Sequence, residues 1–150
     1  MVKVSRHIRI LAPVGEVWQV LADFPGIMKW VPGIEDSHAL SAETRGIGAE
    51  RAVRIPGLGT ARERVTAWEE GSGYRYEWWI GRGPVPHGYS RWWLTRGSEA
   101  STVVGVEWEG ELKFGALGRL LLSAVIRRNA GHLFARALAD LKGYVEAGGR

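Results

Sequence analysis

Residues 101–146 read STVVGVEWEGELKFGALGRLLLSAVIRRNAGHLFARALADLKGYVE, and their apolar period changes once along the way. Up to Glu111 the residues alternate, with Thr102, Val104, Val106 and Trp108 on one side and Glu107, Glu109 and Glu111 on the other. Strict alternation marks a strand with one covered face and one wet face. From Ala116 to Glu146 the period becomes helical, and Leu117, Leu121, Ala124, Phe134, Leu138, Leu141 and Val145 form the main apolar stripe. A helix of that length reaches ~46 Å, so it is the one segment able to cover a whole sheet. Its first half is apolar nearly all round, which predicts contacts on more than one side. Gly131 costs ~1 kcal/mol relative to Ala in mid-helix, so a bend or a close approach is expected there.

Working outward, short runs of β-forming residues fill 34–41, 47–55, 59–69, 73–81, 87–96 and 101–112. Turn signals separate them at Arg45-Gly46, Pro56-Gly57, Gly71-Ser72-Gly73, Gly83-Pro84 and Arg96-Gly97-Ser98. Connections this short imply an antiparallel meander. A further strand spans 2–10, with Val2, Val4, Ile8 and Ile10 on one face and Lys3, Ser5, His7 and Arg9 on the other. Ala12-Pro13 ends it and opens a helix carrying Val14, Val17, Trp18 and Leu21. Asp23 is the expected cap of a second short helix that begins near Pro25 and stops about Trp30, before Pro32-Gly33. The expected fold is α+β. A curved seven-stranded antiparallel sheet wraps around the long C-terminal helix, with two short helices between strands one and two, all in one domain over 1–150. A strongly curved sheet gripping one helix encloses more volume than small side chains fill, so a cavity between them is predicted.

Composition narrows the function classes. With 150 residues, 45% of them hydrophobic, the chain can bury one full core. It has no cysteine, which excludes disulfides, thiolate nucleophiles and Cys-ligated metals. The net charge is +4, but Glu and Arg alternate through the middle of the chain, so no nucleic-acid partner is expected. The longest apolar stretch, 116–126, is broken by Arg119, and membrane spans need about 18 residues. No stable membrane insertion is expected, and bases within the first ten residues leave no signal-type apolar core. A cytoplasmic location follows as the expectation. Phosphate-binding glycine loops and Gly-x-Ser-x-Gly elbows do not occur, and the four histidines are dispersed. No cofactor and no metal are therefore expected.

Taken together, several segments resemble the START/Bet v 1-like (SRPBCC) helix-grip superfamily, in particular its polyketide cyclase/dehydrase and lipid-transport branch. They are Ile10-Leu11-Ala12-Pro13, Glu16-Val17-Trp18, Leu21-Ala22-Asp23, Trp30-Val31-Pro32-Gly33 and Glu63-Arg64-Val65 followed by Trp68. Trp92-Trp93-Leu94, Thr102-Val103-Val104 and the tail from Leu138 to Glu146 complete the likeness, in order over nearly the whole chain. It implies a deep, mostly apolar pocket for a small organic molecule, and no fixed catalytic set.

Strand parity supplies the candidate residues. Tyr74, Tyr76, Trp78 and Ile80 share one face, as do Ser90, Trp92 and Leu94 on the next strand. With Trp30, Val53, Trp108, Leu121 and Arg128 they give a candidate ligand-binding set, offering flat surfaces for an apolar or aromatic ligand. The alternative is that the aromatics simply fill the core. Trp79 and Trp93 have outward parity, to be covered by Arg side chains through cation–π contact or to mark a homodimer surface. Glu63 shares parity with Ala61, Val65 and Ala67, so it should point inward. There it is either a general base or a structural partner for Arg51 or Arg91, and the second reading is preferred. His132, four residues from Arg128, is the second catalytic candidate, and His87 a gate beside the entrance. Three functions follow: binding a hydrophobic small molecule, a cyclase or dehydratase using Glu63 and His132, or an interaction module.

Overall fold

The computed structural model describes residues 1–113 and 115–149. In chain order the elements are β1 (Val2–Ile10), α1 (Val14–Ala22), a 3-10 helix (Phe24–Lys29), β2 (Asp36–Ala39) and β3 (Glu50–Ile55). These are followed by β4 (Gly59–Glu69), β5 (Gly73–Ile80), β6 (His87–Arg96), β7 (Thr102–Glu111) and α2 (Ala116–Glu146). The seven strands form one sheet in the order β1-β7-β6-β5-β4-β3-β2, every pair antiparallel. This is the expected α+β helix-grip architecture, with α1 and the 3-10 helix between the first two strands.

Three local differences from the sequence reading have physical causes. β2 and β3 are shorter than 34–41 and 47–55, because Gly46 and Gly48 take positive φ and coil the intervening chain into a loop. Asp23 makes no side-chain cap to the 3-10 helix. Its carboxylate folds over Gly26, where a Cβ would collide with it, and accepts from Lys29 Nζ at 2.7 Å. In β4 a bulge between Val65 and Ala67 reverses the parity, so Ala67 is exposed and Trp68 turns to the inner side.

The largest difference lies in α2. Its second half is docked, with Ala130, Gly131, Leu138, Leu141 and Val145 buried. Its end is pinned where Glu146 Oε2 accepts the Leu11 N–H at 2.9 Å and Lys142 Nζ donates to the Arg9 carbonyl at 3.2 Å. The first half is open instead, with Leu117 73%, Leu120 74%, Leu121 67% and Val125 53% exposed. Phase accounts for part of this: at about 100° per residue, the ten positions from Ala124 to Phe134 fall about 80° short of three turns, which rotates Leu117 and Leu121 off the docked stripe. Leu120, however, lies about five full turns before the buried Leu138 and so in phase with it, yet is exposed. No residue from 116 to 129 is buried, so this half of the helix is left uncovered whatever its phase. Gly131 answers to close approach: the Arg6 guanidinium lies where its Cβ would be.

Candidate functional site

The inner face of the sheet is organised in cross-strand rows. One row runs Arg51, Glu63, Trp78, Gly88, Gly110 and Val2 from β3 to β1. The next runs Val65, Tyr76, Ser90, Trp108 and Val4, and a third runs Trp68, Tyr74, Trp92 and Val106. Glycine at 88 and 110 has a steric reason. A Cβ at Gly88 would strike the Trp78 ring and the Glu109 carbonyl, and one at Gly110 would strike Val85 and Trp108. Two bare positions thus make room for the Trp78–Trp108 pair, stacked at 5.6 Å with planes 11° apart.

Rings occupy the space over the middle of these rows. Trp30 meets Trp92 edge-on at 5.6 Å, Phe24 meets Tyr74 and Tyr76 at 5.6 Å each, and Phe134 of α2 approaches Trp92 at 6.4 Å. Trp30, Val53, Tyr76, Trp78, Ser90 and Trp92 are buried, and Trp108 is half-buried. The candidate ligand-binding residues on strands thus share one inner wall with Trp30. Leu121 and Arg128 do not join it. Both are exposed on α2, in the stretch from 116 to 129 where no residue is buried. Two clefts lie away from this wall. One of about 570 Å³ sits on the outer face between Lys3, Arg75, Tyr89, Arg91 and Glu109. Another of about 450 Å³ lies beside the 3-10 helix, lined by Asp23, Met28, Lys29, Ser37 and His38.

Charge enters the inner wall at one place. Arg51 is 1% exposed and Glu63 8%, and Arg51 Nε donates to Glu63 Oε2 at 2.5 Å. Arg51 Nη1 donates to the Phe24 carbonyl at 2.5 Å, and the guanidinium lies 3.8 Å from the centre of the Phe24 ring. Burial works against the guanidinium charge, but the Glu63 carboxylate and the nearby tyrosines outweigh it and raise the Arg51 pKa. The inward Glu63 expected from parity is therefore a paired carboxylate, with Arg51 as its partner. Burial, reinforced by Glu63 and opposed by Arg51, pushes the Tyr76 hydroxyl up to about 12. Tyr74 is raised too, chiefly by burial. Tyr76 stays a neutral phenol that accepts from Trp92 Nε1 at 3.4 Å.

Among the described residues, two buried donors in this wall have no partner in hydrogen-bond geometry: Arg51 Nη2, whose guanidinium nonetheless interacts with the Tyr74 hydroxyl and opposes the upward shift that burial gives it, and Trp78 Nε1. They flank Glu63 in the same cross-strand row. Leaving a buried donor unpaired costs about 1–3 kcal/mol, and more when the group is charged. Parity reasoning found Trp78 and named Arg51 as a partner, but an unpaired N–H leaves no signal in a sequence. Two further groups were also missed. Glu70 accepts from both Trp18 Nε1 and Trp68 Nε1 at 2.8 Å, and these bonds, with Arg45, hold its carboxyl below the usual range. Phe24, at the start of the 3-10 helix, roofs Arg51.

His132 is exposed on α2, whereas Glu63 is buried and engaged by Arg51, so the two catalytic candidates do not converge on one pocket. His87 stands on the outer face, at the start of β6. Its Nε2 lies 2.6 Å from Glu77 Oε1, its Nδ1 3.5 Å from Glu111 Oε2, and its ring stacks on Trp79. Arg62 covers Trp79 at 4.7 Å, which is the cation–π cover expected there, and Trp93 lies across Gly105.

Over residues 1–146 the sequence matches the family described as polyketide cyclase / dehydrase and lipid transport. The chain belongs to that family. No curated protein matches it in sequence. Among solved structures, XoxI from Bacillus cereus superposes with a TM-score of 0.75 at 18% identity, covering 97% of this chain and 96% of that one. A START superfamily protein from Mycobacterium smegmatis gives 0.75 at 16% identity, covering 98% and 99%. Ara h 8.0201 gives 0.69 at 15% identity, covering 97% of each chain. At these identities the likeness establishes the fold alone, the helix-grip fold that this member of the polyketide cyclase/dehydrase and lipid-transport family adopts.

Proposed function

We propose that the protein binds an apolar or aromatic small molecule, lipid-like or polyketide-like, that carries an oxygen acceptor such as a ketone. The observation behind this reading is the pair of unpartnered donors, Arg51 Nη2 and Trp78 Nε1, set in a wall of aromatic rings. A ligand carbonyl would satisfy both demands of the wall. Its rings or chain would replace ring contacts, and its oxygen would take the charge-assisted N–H that the protein leaves open. Entry displaces the first half of α2, which has no fully buried residue before Ala130 and so little to lose on opening.

A binding role is favoured over acid–base catalysis because Glu63 is already held by Arg51 while His132 faces solvent. The experiment is a titration of tryptophan fluorescence with fatty acids, flavonoids and aromatic polyketides. Saturable quenching by a ketone-bearing ligand is expected, and it should be lost in an Arg51→Met/Glu63→Leu variant that still folds. Equal quenching in both proteins would refute the role of the pair.

A further inference from the structure

The first half of α2 presents a face that the fold leaves uncovered. Leu117, Leu120, Leu121 and Val125 are each more than half exposed, and Leu133 is 49% exposed. No residue from 116 to 129 is buried, Leu120 included, although it lies about five full turns before the buried Leu138 and so in phase with the docked stripe. The charge around them is one-sided. From residue 112 to 139 the sequence holds Lys113, Arg119, Arg127, Arg128 and Arg136 and not one Asp or Glu. Elsewhere the charges of this protein are mixed: Lys3, Glu109, Tyr89, Glu77, Arg64 and Glu50 form one row across the outer face. The hairpin turn after β3, with Leu58 46% exposed, opens at the same end of the sheet. So does the β5–β6 loop with Arg82, tied to Lys113 by its N–H to the Pro84 carbonyl at 3.0 Å.

We propose that the first half of α2 is an interfacial segment that docks this end of the protein on an anionic membrane surface. Leu117, Leu120, Leu121 and Val125 would enter the boundary between headgroups and acyl chains. Arg127 and Arg128, the next turn along, would lie among the anionic headgroups. An apolar face ringed by bases without acids is the composition of such segments. A second copy of the chain is the poorer occupant, because pairing this face with itself brings two acid-free basic segments together. Docking of this kind does not cross the bilayer, and no helix among the described residues is long and apolar enough to do so. The inference stands apart from the ligand reading, since it needs neither Arg51 nor Trp78.

The test uses the full chain with vesicles of phosphatidylcholine alone and of phosphatidylcholine with about one-third phosphatidylglycerol. Flotation should recover the protein with the anionic vesicles at low salt and much less of it at about 0.5 M salt, since screening removes the electrostatic share. Arg127→Glu/Arg128→Glu should weaken partition about tenfold or more, and Leu120→Glu/Leu121→Glu should abolish it. Arg91→Glu, on the outer face of the sheet, should leave it unchanged. The chain has no cysteine, so a polarity-sensitive dye on Leu121→Cys reports this one site and should shift to the blue on anionic vesicles. No association with anionic vesicles would overturn the proposal, as would association that the α2 variants do not alter. A dimer that Leu120→Glu/Leu121→Glu converts to monomer would also overturn it and make a second copy the occupant.

Discussion

Arg and Glu stand on both faces of one sheet, in opposite circumstances. On the outer face Arg91 and Glu107 approach to 3.5 Å with about half of each side chain exposed, and Arg75 reaches Glu109 at 2.9 Å. Such pairs form in high dielectric and contribute roughly 0–1 kcal/mol each. Inside, Arg51 and Glu63 meet at 2.5 Å almost without solvent, and one guanidinium nitrogen is left over. A buried pair of this kind is no better for stability than a well-packed apolar pair of the same volume. The outer pairs keep that face of the sheet solvated, while the inner pair incurs a cost that packing alone gives no reason to accept.

The largest effect should come from breaking the inner pair. Glu63→Gln leaves Arg51 as an uncompensated buried charge, and a loss of about 3–5 kcal/mol in denaturant unfolding is expected. The matching outer change, Glu107→Gln, should stay within about 0.5 kcal/mol. Replacing both inner partners, as Arg51→Met/Glu63→Leu, should return stability to within about 1 kcal/mol of the parent. If the double variant is as unstable as Glu63→Gln, the pair is a structural necessity and the contrast between the faces collapses.

A smaller effect should appear on the outer face as pH changes. Burial lowers the His87 pKa, but the hydrogen bonds and charges of Glu77 and Glu111 outweigh it, and the net shift is upward from 6.5. A raised pKa in the folded state means that His87 adds stability in full below about pH 6.5. That contribution is lost as pH rises through the higher folded value. His87→Gln should therefore flatten the decline in melting temperature between about pH 6 and pH 8 that the parent shows. A parent curve flat over that range, or an unchanged slope in the variant, would contradict the assignment.

Much of this contrast was legible in the sequence. Period-two alternation placed Trp78, Trp92 and Glu63 inside and Trp79 and Trp93 outside, because side-chain direction in a strand follows from parity alone. Parity failed where the backbone departs from it. The bulge at Val65/Ala67 carried Trp68 inward, and nothing in that stretch of residues announces an extra one. In the long helix the apolar residues were recognised, but not that only its second half is covered, so Leu121 was assigned to a wall that its half of the helix does not join. Arg51 Nη2 and Trp78 Nε1 were beyond reach, since an unpaired donor is a property of three-dimensional surroundings.

On the proposed reading, the inner wall recognises an oxygen acceptor and not merely apolar bulk. Titrating the tryptophan fluorescence of the parent protein with 2-acetylnaphthalene and with 2-ethylnaphthalene separates the two, since the compounds are similar in shape and differ in the carbonyl. A hydrogen bond to a charged donor contributes about 1.5–3 kcal/mol, so the ketone should bind at least about tenfold more tightly, and this preference should vanish in Arg51→Met/Glu63→Leu. Equal affinity for the two compounds in the parent protein would mean that the wall selects apolar bulk alone and that Arg51 and Trp78 play no part in recognition.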